Sequence, residues 1–284
     1  MRRLIAAVAV AALAGCGATS SATTTRVGRF DGARAFGLLK LQVDLGPRPA
    51  GSATSRALAA MIKARLPNGH YEAVPGGLRN VVGSLPGKEP PIVLGAHYDT
   101  KDSPPGFVGA EDGAGGTAEL LEVARVLRRD RPPEGARAIR FVAFDGEECP
   151  GTDDSNFLAC GVRGSKAYVA RHPKAAAMIL LDFVAQKQLS IPREATASPA
   201  LWGKLRSAAQ ATGSGAAFPA RTQGGVEDDH TPFLERGIPA IDLIDFDFAC
   251  WHRLCDDLSA VSERSIDTSG KAVLELMRRL RAGR

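Results

Sequence analysis

Aromatic side chains and cysteines are scarce in this sequence of 284 residues. Phe, Trp and Tyr make up 6% of the chain, and five cysteines are too few for a small domain held together mainly by disulfides. Hydrophobic residues make up 44% and charged residues 24%, a balance that excludes an intrinsically disordered chain. The length is sufficient for one domain with a complete hydrophobic core. The composition therefore indicates a globular domain of enzyme size, without indicating its chemistry.

Long hydrophobic runs are also missing, since none reaches the roughly 18 residues that a transmembrane helix needs. An apolar run over residues 4–14 follows Arg2 and Arg3, a pattern typical of a signal peptide. The run leads through small residues to Cys16 and resembles a bacterial lipobox, in which the cysteine becomes the lipidated first residue of the mature protein. An ordinary signal peptide with a chance cysteine is the alternative.

These features predict the domain organisation and the location of the protein. We expect a lipoprotein signal peptide at residues 1–15, a flexible tether at residues 16–30 and one globular domain at residues 31–284. Lipidation of Cys16 would anchor the exported protein to the outer face of a bacterial membrane.

The excess of positive charge is small. The formal charge is +5, from 36 Lys and Arg against 31 Asp and Glu, and two of these arginines lie in the predicted signal peptide. The remaining basic residues are interleaved with acidic ones, so nucleic acid is not an expected partner. The sequence leaves the oligomeric state open.

Four cysteines remain after Cys16, namely Cys149, Cys160, Cys250 and Cys255. Outside the cytoplasm they can form disulfides, for which three pairings are possible. Pairing of near neighbours, 149 with 160 and 250 with 255, is the expected one. Zinc binding by these thiols is the alternative, and it is disfavoured because no Cys-x-x-Cys pair is present.

Predicted strands and helices alternate along the chain without a linker or a repeat. This order is typical of one α/β domain with a largely parallel sheet, whose functional residues lie at the carboxyl ends of the strands. The predicted strands are residues 78–85, 92–96, 139–144, 178–181 and 240–244, and the predicted helices are residues 31–43, 52–66, 116–129, 200–211 and 266–280.

Acidic residues and histidines stand where these predicted strands end. Asp99 either orients a neighbouring histidine or forms a turn. Mixed imidazole and carboxylate ligands at the mouth of an α/β sheet suit zinc, so we expect a metal site there. The candidate residues are His97, Asp112, Glu147, Glu148, Asp182 and His252.

Several other kinds of active site are disfavoured because their motifs are missing. The sequence contains no His-Glu-x-x-His, no Gly-x-Ser-x-Gly, no phosphate-binding P-loop and no Gly-x-Gly-x-x-Gly after a strand. The glycine-rich segment at residues 113–116 is better explained by close packing of a helix start than by phosphate binding.

The ordered motifs resemble the zinc-dependent exopeptidase superfamily, which includes aminopeptidases and animal-type glutaminyl cyclases. The resemblance implies a mixed central sheet between helices. It also implies that Asp112, Glu148 and His252 bind one zinc ion and that Glu147 is the general acid and base. In the two-metal aminopeptidases, the residues matching His97 and Asp182 hold a second zinc. The motifs are His97-Tyr98-Asp99, Glu111-Asp112-Gly113-Ala114, Phe144-Asp145-Gly146-Glu147-Glu148, Leu181-Asp182, Asp228-Asp229-His230-x-Pro232-Phe233 and Trp251-His252.

Two residues favour the cyclase branch of this superfamily. Asp228 stands where the aminopeptidases usually carry serine, and Trp251 stands directly before the predicted ligand His252, as the pocket tryptophan of the cyclases does. Two departures weaken this assignment: the cyclases' aromatic residue shortly after the paired glutamates is missing, and Arg253 replaces the usual threonine. The alternatives are that Trp251 only packs and that Asp228 caps the helix before Thr231.

We therefore expect a zinc enzyme that acts on peptide N-termini. The leading hypothesis is a one-zinc glutaminyl-peptide cyclotransferase, in which Asp182 and Asp228 tune Glu147 through shared protons. The alternative is a two-zinc aminopeptidase that releases N-terminal residues. A non-catalytic lipoprotein that binds peptides or metal is a third hypothesis, against which the intact Glu147-Glu148 pair counts.

Overall fold

The computed structural model describes residues 28–284 as a single α/β domain around a six-stranded sheet. The predicted signal peptide, Cys16 and most of the predicted tether lie outside the described residues and stay predictions. Across the sheet the strands follow the order β1-β2-β4-β3-β5-β6. They are β1 (His70–Val74), β2 (Leu78–Leu85), β3 (Lys88–His97), β4 (Arg137–Phe144), β5 (Ala177–Leu181) and β6 (Ala240–Leu243).

The sheet is mixed but mostly parallel. Strands β4, β3, β5 and β6 pair in parallel, whereas β2 is antiparallel to β4 and β1 is antiparallel to β2. The carboxyl ends of the four parallel strands therefore lie along one edge of the sheet. This confirms the predicted fold class and places the candidate site residues at that edge.

Helices cover both faces of the sheet. Alternate residues of β3 point to opposite faces, so Leu94 joins a large core with α1, α2, α3, α6 and α8, while Val93 joins a smaller core with α5 and α7. The helices are α1 (Gly32–Asp44), α2 (Ala53–Arg65), α3 (Ala114–Arg129), α4 (Phe157–Cys160), α5 (Arg163–Arg171), α6 (Pro199–Ala211), α7 (Thr231–Leu234) and α8 (Glu263–Arg281), with a short 3-10 helix at Gly215–Ala217.

Local sequence explains where two of these helices begin. The Ser52 hydroxyl accepts a hydrogen bond from the backbone N–H of Ser55, which caps α2 at the predicted position. At the start of α3, a side chain at Gly116 would collide with the backbone oxygen of Leu181. Glycine therefore lets α3 lie directly against the end of β5, as expected from the glycine-rich segment.

The predicted strands and helices are all present, with small differences at their ends. The strand predicted at residues 92–96 begins earlier, at Lys88, and the strand β1 and the helices α4, α5 and α7 were not predicted. Between residues 28 and 284, none of the helices combines the length and the apolarity needed to cross a membrane.

Candidate active site

The structure brings the predicted site residues together at the carboxyl edge of the parallel strands. His97 is the last residue of β3, and Asp182 directly follows β5. Glu147 and Glu148 lie on the turn after β4, and Asp112 lies just before α3. The loop between β6 and α8 supplies the remaining predicted ligand, His252. The convergence follows from the parallel sheet, because these strand ends share one edge.

Asp112, Glu148 and His252 form a group whose geometry suits a metal ion. Their ligand atoms lie within 4.8 Å of one another. The Nε2 atom of His252 is 3.6 Å from Oδ2 of Asp112 and 3.4 Å from Oε2 of Glu148. Buried Asp112 Oδ2 and Glu148 Oε1 have no hydrogen-bond partner among the described residues. Unpaired buried carboxylate oxygens beside an imidazole fit a cation such as zinc, which takes these donors.

A second group shares Asp112 with the first. His97, Asp112 and Asp182 also place ligand atoms within 4.8 Å of one another. The Nε2 atom of His97 is 3.3 Å from Oδ1 of Asp112 and 3.1 Å from Oδ1 of Asp182. The side chains could therefore hold either one metal ion or two. The ligand set alone does not distinguish the one-metal from the two-metal members of the superfamily that the motifs resemble.

Glu147 lies beside these two groups and belongs to neither. Its Oε2 atom is 3.8 Å from Nδ1 of His97, and the side chain is buried. Burial raises the pKa of Glu147 well above its ordinary value, and the charge of Glu148 raises it further, against the opposing effect of His97. A carboxyl group with a raised pKa beside a metal-binding group is suited to taking up and releasing protons during a reaction.

Asp99 holds the turn that carries the two glutamates. Its carboxylate accepts hydrogen bonds from the backbone N–H groups of Glu147 at 3.2 Å and Glu148 at 3.3 Å. Its Oδ1 atom is also 3.9 Å from Nδ1 of His97. Asp99 therefore lies beside the histidine and also fixes the position of the glutamates. The sequence did not predict this second role.

Asp182 and Asp228 are the other carboxylates of the site, and both are buried in the wall of the same cavity. Burial raises the pKa of Asp182 well above its ordinary value, and the nearby charge of Asp228 adds to the rise. The Asp228 carboxylate accepts a hydrogen bond from the Asp229 N–H and does not cap the helix α7. The structure therefore places Asp228 in the site rather than in the alternative capping position.

The cavity has a volume of about 250 Å³ and a wall of aromatic rings. Trp251 lies in this wall with 41% of its surface exposed. Its ring centre is 5.0 Å from that of Phe246 and 4.5 Å from that of His252. Phe157 also lines the cavity, which supplies an aromatic ring although none directly follows the paired glutamates.

Both expected disulfides are present in the structure. Cys149 is bonded to Cys160 with a Cα–Cα distance of 5.0 Å, and Cys250 to Cys255 with 5.4 Å. The first closes the loop that carries Phe157, and the second closes the loop that carries Trp251 and His252. Each disulfide thus restrains a loop that contributes to the cavity.

Three polar residues next to the predicted ligands, Lys101, Asp154 and Asp256, are not indicated by any sequence motif. Lys101, only 2% exposed, forms an ion pair with Asp154, and its Nζ atom is 3.8 Å from Oε2 of Glu148. Asp256 accepts a hydrogen bond from the backbone N–H of Asp112 at 3.1 Å. No local pattern indicates them, because Lys101 and Asp256 lie in loops and contact residues that are distant in sequence.

A model of peptidase family M28 matches residues 80–277, which is more than half of the 284-residue chain. Among curated proteins, the glutaminyl-peptide cyclotransferase of Gloydius blomhoffii is 29% identical in an alignment 217 residues long, gaps included, that covers 63% of this chain. The match covers 59% of that relative, so the chain spans about three fifths of its length.

Solved structures of two proteins with different names share the fold. A glutaminyl cyclase from an Acidobacteriales bacterium has a TM-score of 0.79 at 29% identity, covering 94% of this chain and 100% of its own. A Zn-dependent exopeptidase from Parabacteroides distasonis has a TM-score of 0.77 at 27% identity, covering 88% of this chain and 99% of its own. The same fold therefore occurs both in a glutaminyl cyclase and in a Zn-dependent exopeptidase.

Proposed function

The chain belongs to peptidase family M28, and we propose that it is a zinc-dependent glutaminyl-peptide cyclotransferase. The reaction would convert an N-terminal glutamine of a peptide or protein to pyroglutamate and release ammonia. The observation that carries this proposal is the cavity, whose lining combines aromatic rings with the carboxyl groups of Glu147, Asp182 and Asp228. Similarity to proteins named glutaminyl-peptide cyclotransferase and glutaminyl cyclase supports it.

Asp112, Glu148 and His252 are the proposed ligands of one zinc ion. Their unpaired oxygens and the Nε2 atom of His252 form the donor set described above. Bound there, zinc would supply a Lewis acid that polarises the side-chain amide carbonyl of the substrate glutamine.

Glu147 is the proposed general base and acid. Its carboxylate takes a proton from the substrate α-amine, and the nitrogen then attacks the γ-carbonyl carbon and closes a five-membered ring. The carbon–nitrogen bond to the departing group breaks as Glu147 returns the proton to that nitrogen, which leaves as ammonia. The raised pKa of Glu147, caused first by burial, suits a group that must both accept and give up this proton.

Asp182 and Asp228 have a supporting role in this proposal. Both carboxyl groups are buried beside the cavity, and burial raises the pKa of each. The charge of Asp228 raises the pKa of both Glu147 and Asp182, so the three titrations influence one another. The three groups together can hold a proton near the reacting nitrogen throughout the ring closure.

Trp251 and the neighbouring rings would bind the glutamine side chain and keep water away. Exclusion of water matters because water competes with the α-amine for the same amide carbon. Flat aromatic surfaces can wall a small aliphatic stem while leaving its polar amide free to turn toward the carboxylates.

A zinc aminopeptidase is the second candidate function, and one observation favours it. His97 and Asp182 form a group with Asp112 that offers ligands for a second zinc ion. In that case Glu147 would activate water for cleavage of the first peptide bond. The Zn-dependent exopeptidase with the same fold supports this alternative.

Mass spectrometry of two peptides distinguishes these functions. Matched peptides that begin with Gln or Leu are incubated with the purified, zinc-loaded protein. Loss of ammonia from the Gln peptide, with the Leu peptide unchanged, is the result expected for the cyclase. Release of free leucine would instead establish the aminopeptidase, and two unchanged peptides would favour the binding lipoprotein.

We further propose that Cys16 is lipidated and anchors the exported protein to a membrane. The lipobox-like sequence supports this location. Mass spectrometry of the mature protein should find its N-terminus at Cys16 with a lipid attached, and Cys16→Ser should carry no lipid. An unlipidated Cys16 in protein purified from the membrane fraction would contradict the proposal.

A further inference from the structure

We infer that Asp154 is a positioning residue for His252, and this inference rests on the proposed role of His252 as a zinc ligand. The Oδ2 atom of Asp154 is 3.5 Å from Nδ1 of His252. The other ring nitrogen, Nε2, faces Asp112 and Glu148. The imidazole therefore lies between the proposed metal position on one side and the Asp154 carboxylate on the other.

The backbone around His252 does not by itself determine which ring nitrogen carries the proton. His252 has φ of 51°, in the left-handed region that non-glycine residues rarely adopt, inside the loop closed by Cys250 and Cys255. The imidazole contacts the rings of Trp251 and Phe107, with centre distances of 4.5 and 6.2 Å. These ring contacts orient the imidazole plane but offer no hydrogen-bond acceptor.

The Asp154 carboxylate supplies that acceptor. A carboxylate near Nδ1 favours the tautomer with its proton on Nδ1, which leaves the Nε2 lone pair available for a metal ion. Metal-bound histidines generally donate their second ring N–H to a carboxylate or carbonyl group, and this contact fixes the ring and increases its basicity. Asp154 is in the position to do this for His252.

The loop that carries Asp154 is held in two ways. The Cys149–Cys160 disulfide closes it, and the second carboxylate oxygen of Asp154 forms an ion pair with Lys101. Lys101 is also near the proposed ligand Glu148, at 3.8 Å. Asp154 therefore has a second possible effect, because it neutralises an ammonium group that competes with a metal ion for Glu148.

Zinc affinity measured without substrate tests the inference. The holoenzyme is stripped of metal, and its zinc dissociation constant is determined by competition with a chromophoric chelator. We expect Asp154→Ala to weaken zinc binding by about 10- to 100-fold, the usual effect of removing a carboxylate behind a metal-bound histidine. Asp153→Asn is the matched control, because Asp153 is exposed on the same loop. An asparagine there can still accept the hydrogen bond that the backbone N–H of Ser155 donates to Asp153. We expect that control to bind zinc within about twofold of the unmodified protein.

A second comparison separates the effect on His252 from the effect on Lys101. Asp154→Ala is repeated in a Lys101→Met background, where no ammonium group is left to compete for Glu148. If Asp154 acts on His252, the loss of zinc affinity remains about tenfold or more. If the loss disappears, Asp154 only neutralises Lys101, and the inference is wrong.

The outcomes also separate this inference from the proposed function. An unmodified protein that binds no zinc would overturn the proposed function. Zinc binding that is equally tight in the unmodified protein and in folded Asp154→Ala would overturn only the role of Asp154. Thermal unfolding of the metal-free proteins checks folding. Should Asp154→Ala not fold, Asp154→Asn replaces it, with weaker zinc binding expected and unchanged binding as the contradicting result.

Discussion

At the scale of single residues, the buried side chains of Glu147 and Glu119 are expected to have different effects, one on the reaction and the other on stability. Glu147 lies beside the metal-binding groups and is not a member of them. We expect Glu147→Gln to lower the cyclisation rate by about 100- to 10,000-fold, because the variant loses proton transfer. Its zinc affinity should stay nearly unchanged, since the glutamine leaves Asp112, Glu148 and His252 in place.

The rate is measured as ammonia release from a Gln peptide, and zinc affinity by chelator competition. Glu134→Gln is the control, because Glu134 is exposed in a loop that does not line the site cavity. If Glu147→Gln retained the full rate, proton transfer by Glu147 would be excluded.

Glu119 is buried in α3 and does not line the site cavity. The Ser269 hydroxyl donates a hydrogen bond to its Oε1 atom at 3.3 Å, and Oε2 has no partner among the described residues. Burial raises the pKa of Glu119 well above its ordinary value of 4.5, so the folded protein holds this proton more tightly than the unfolded chain. Its contribution to the free energy of unfolding is therefore fully present below pH 4.5 and is lost as the pH rises.

Glu119→Gln should remove this pH dependence, because glutamine is neutral throughout. The melting temperature of the variant minus that of the unmodified protein should become more positive as the pH is raised from about 4 to about 8. Glu122 on the same helix is the contrast, because it forms ion pairs with Arg125 and Arg34. Glu122→Gln should lower the melting temperature at pH 8. A pH-independent difference for Glu119→Gln would contradict a raised pKa of Glu119.

At the scale of secondary-structure elements, the contact between α3 and β5 positions the site. Asp112 precedes α3 and Asp182 follows β5, so the separation of the two elements sets the separation of these carboxylates. Gly116→Ala would push a methyl group into the Leu181 backbone oxygen and should lower the free energy of unfolding by about 1–3 kcal/mol.

Gly203→Ala is the matched control for this substitution. Gly203 is exposed in the interior of α6, and a side chain there would meet no atom within 4 Å. Alanine should therefore raise the free energy of unfolding by about 0.5–1 kcal/mol through its better helix propensity. Denaturant unfolding measures both values. Equal effects at the two glycines would show that the close approach of α3 to β5 is not restrictive.

The same elements show what the sequence predicts and what it does not. β2 was predicted with its observed bounds although only four of its eight residues are apolar, and the parallel core strands were predicted with small errors. β1 was missed because His70, Tyr71 and Glu72 are polar or exposed at the edge of the sheet. α5 was missed because arginine and lysine interrupt its short apolar stripe.

A similar division applies to the site. His97, Glu147 and Asp182 were predicted because each follows a buried strand, and parallel strands end at one edge. Asp154 was not predicted, because its position depends on the path of a disulfide-closed loop. That path is set by contacts between residues distant in sequence, which the local pattern does not encode.

At the scale of the whole molecule, the fold places several buried carboxyl groups around one cavity. Burial raises the pKa of Asp182 and Glu147 and raises that of Glu148 to about 7, which shows that this arrangement disfavours the charged forms. A divalent cation would offset that cost. Zinc binding to the folded state should therefore stabilise the entire domain, by about 2.7 kcal/mol when free zinc is 100 times its dissociation constant.

The number of zinc ions that each chain binds distinguishes the two proposed functions. The cyclase proposal predicts one zinc per chain, measured by elemental analysis, and a melting temperature that falls when a chelator removes it. His97→Ala should then keep one zinc, because Asp112, Glu148 and His252 remain, whereas Glu148→Gln should lose both the zinc and the stabilisation. Two zinc ions per chain, reduced to one by His97→Ala, would instead identify the shared Asp112 as a bridge between two metal positions and favour the aminopeptidase.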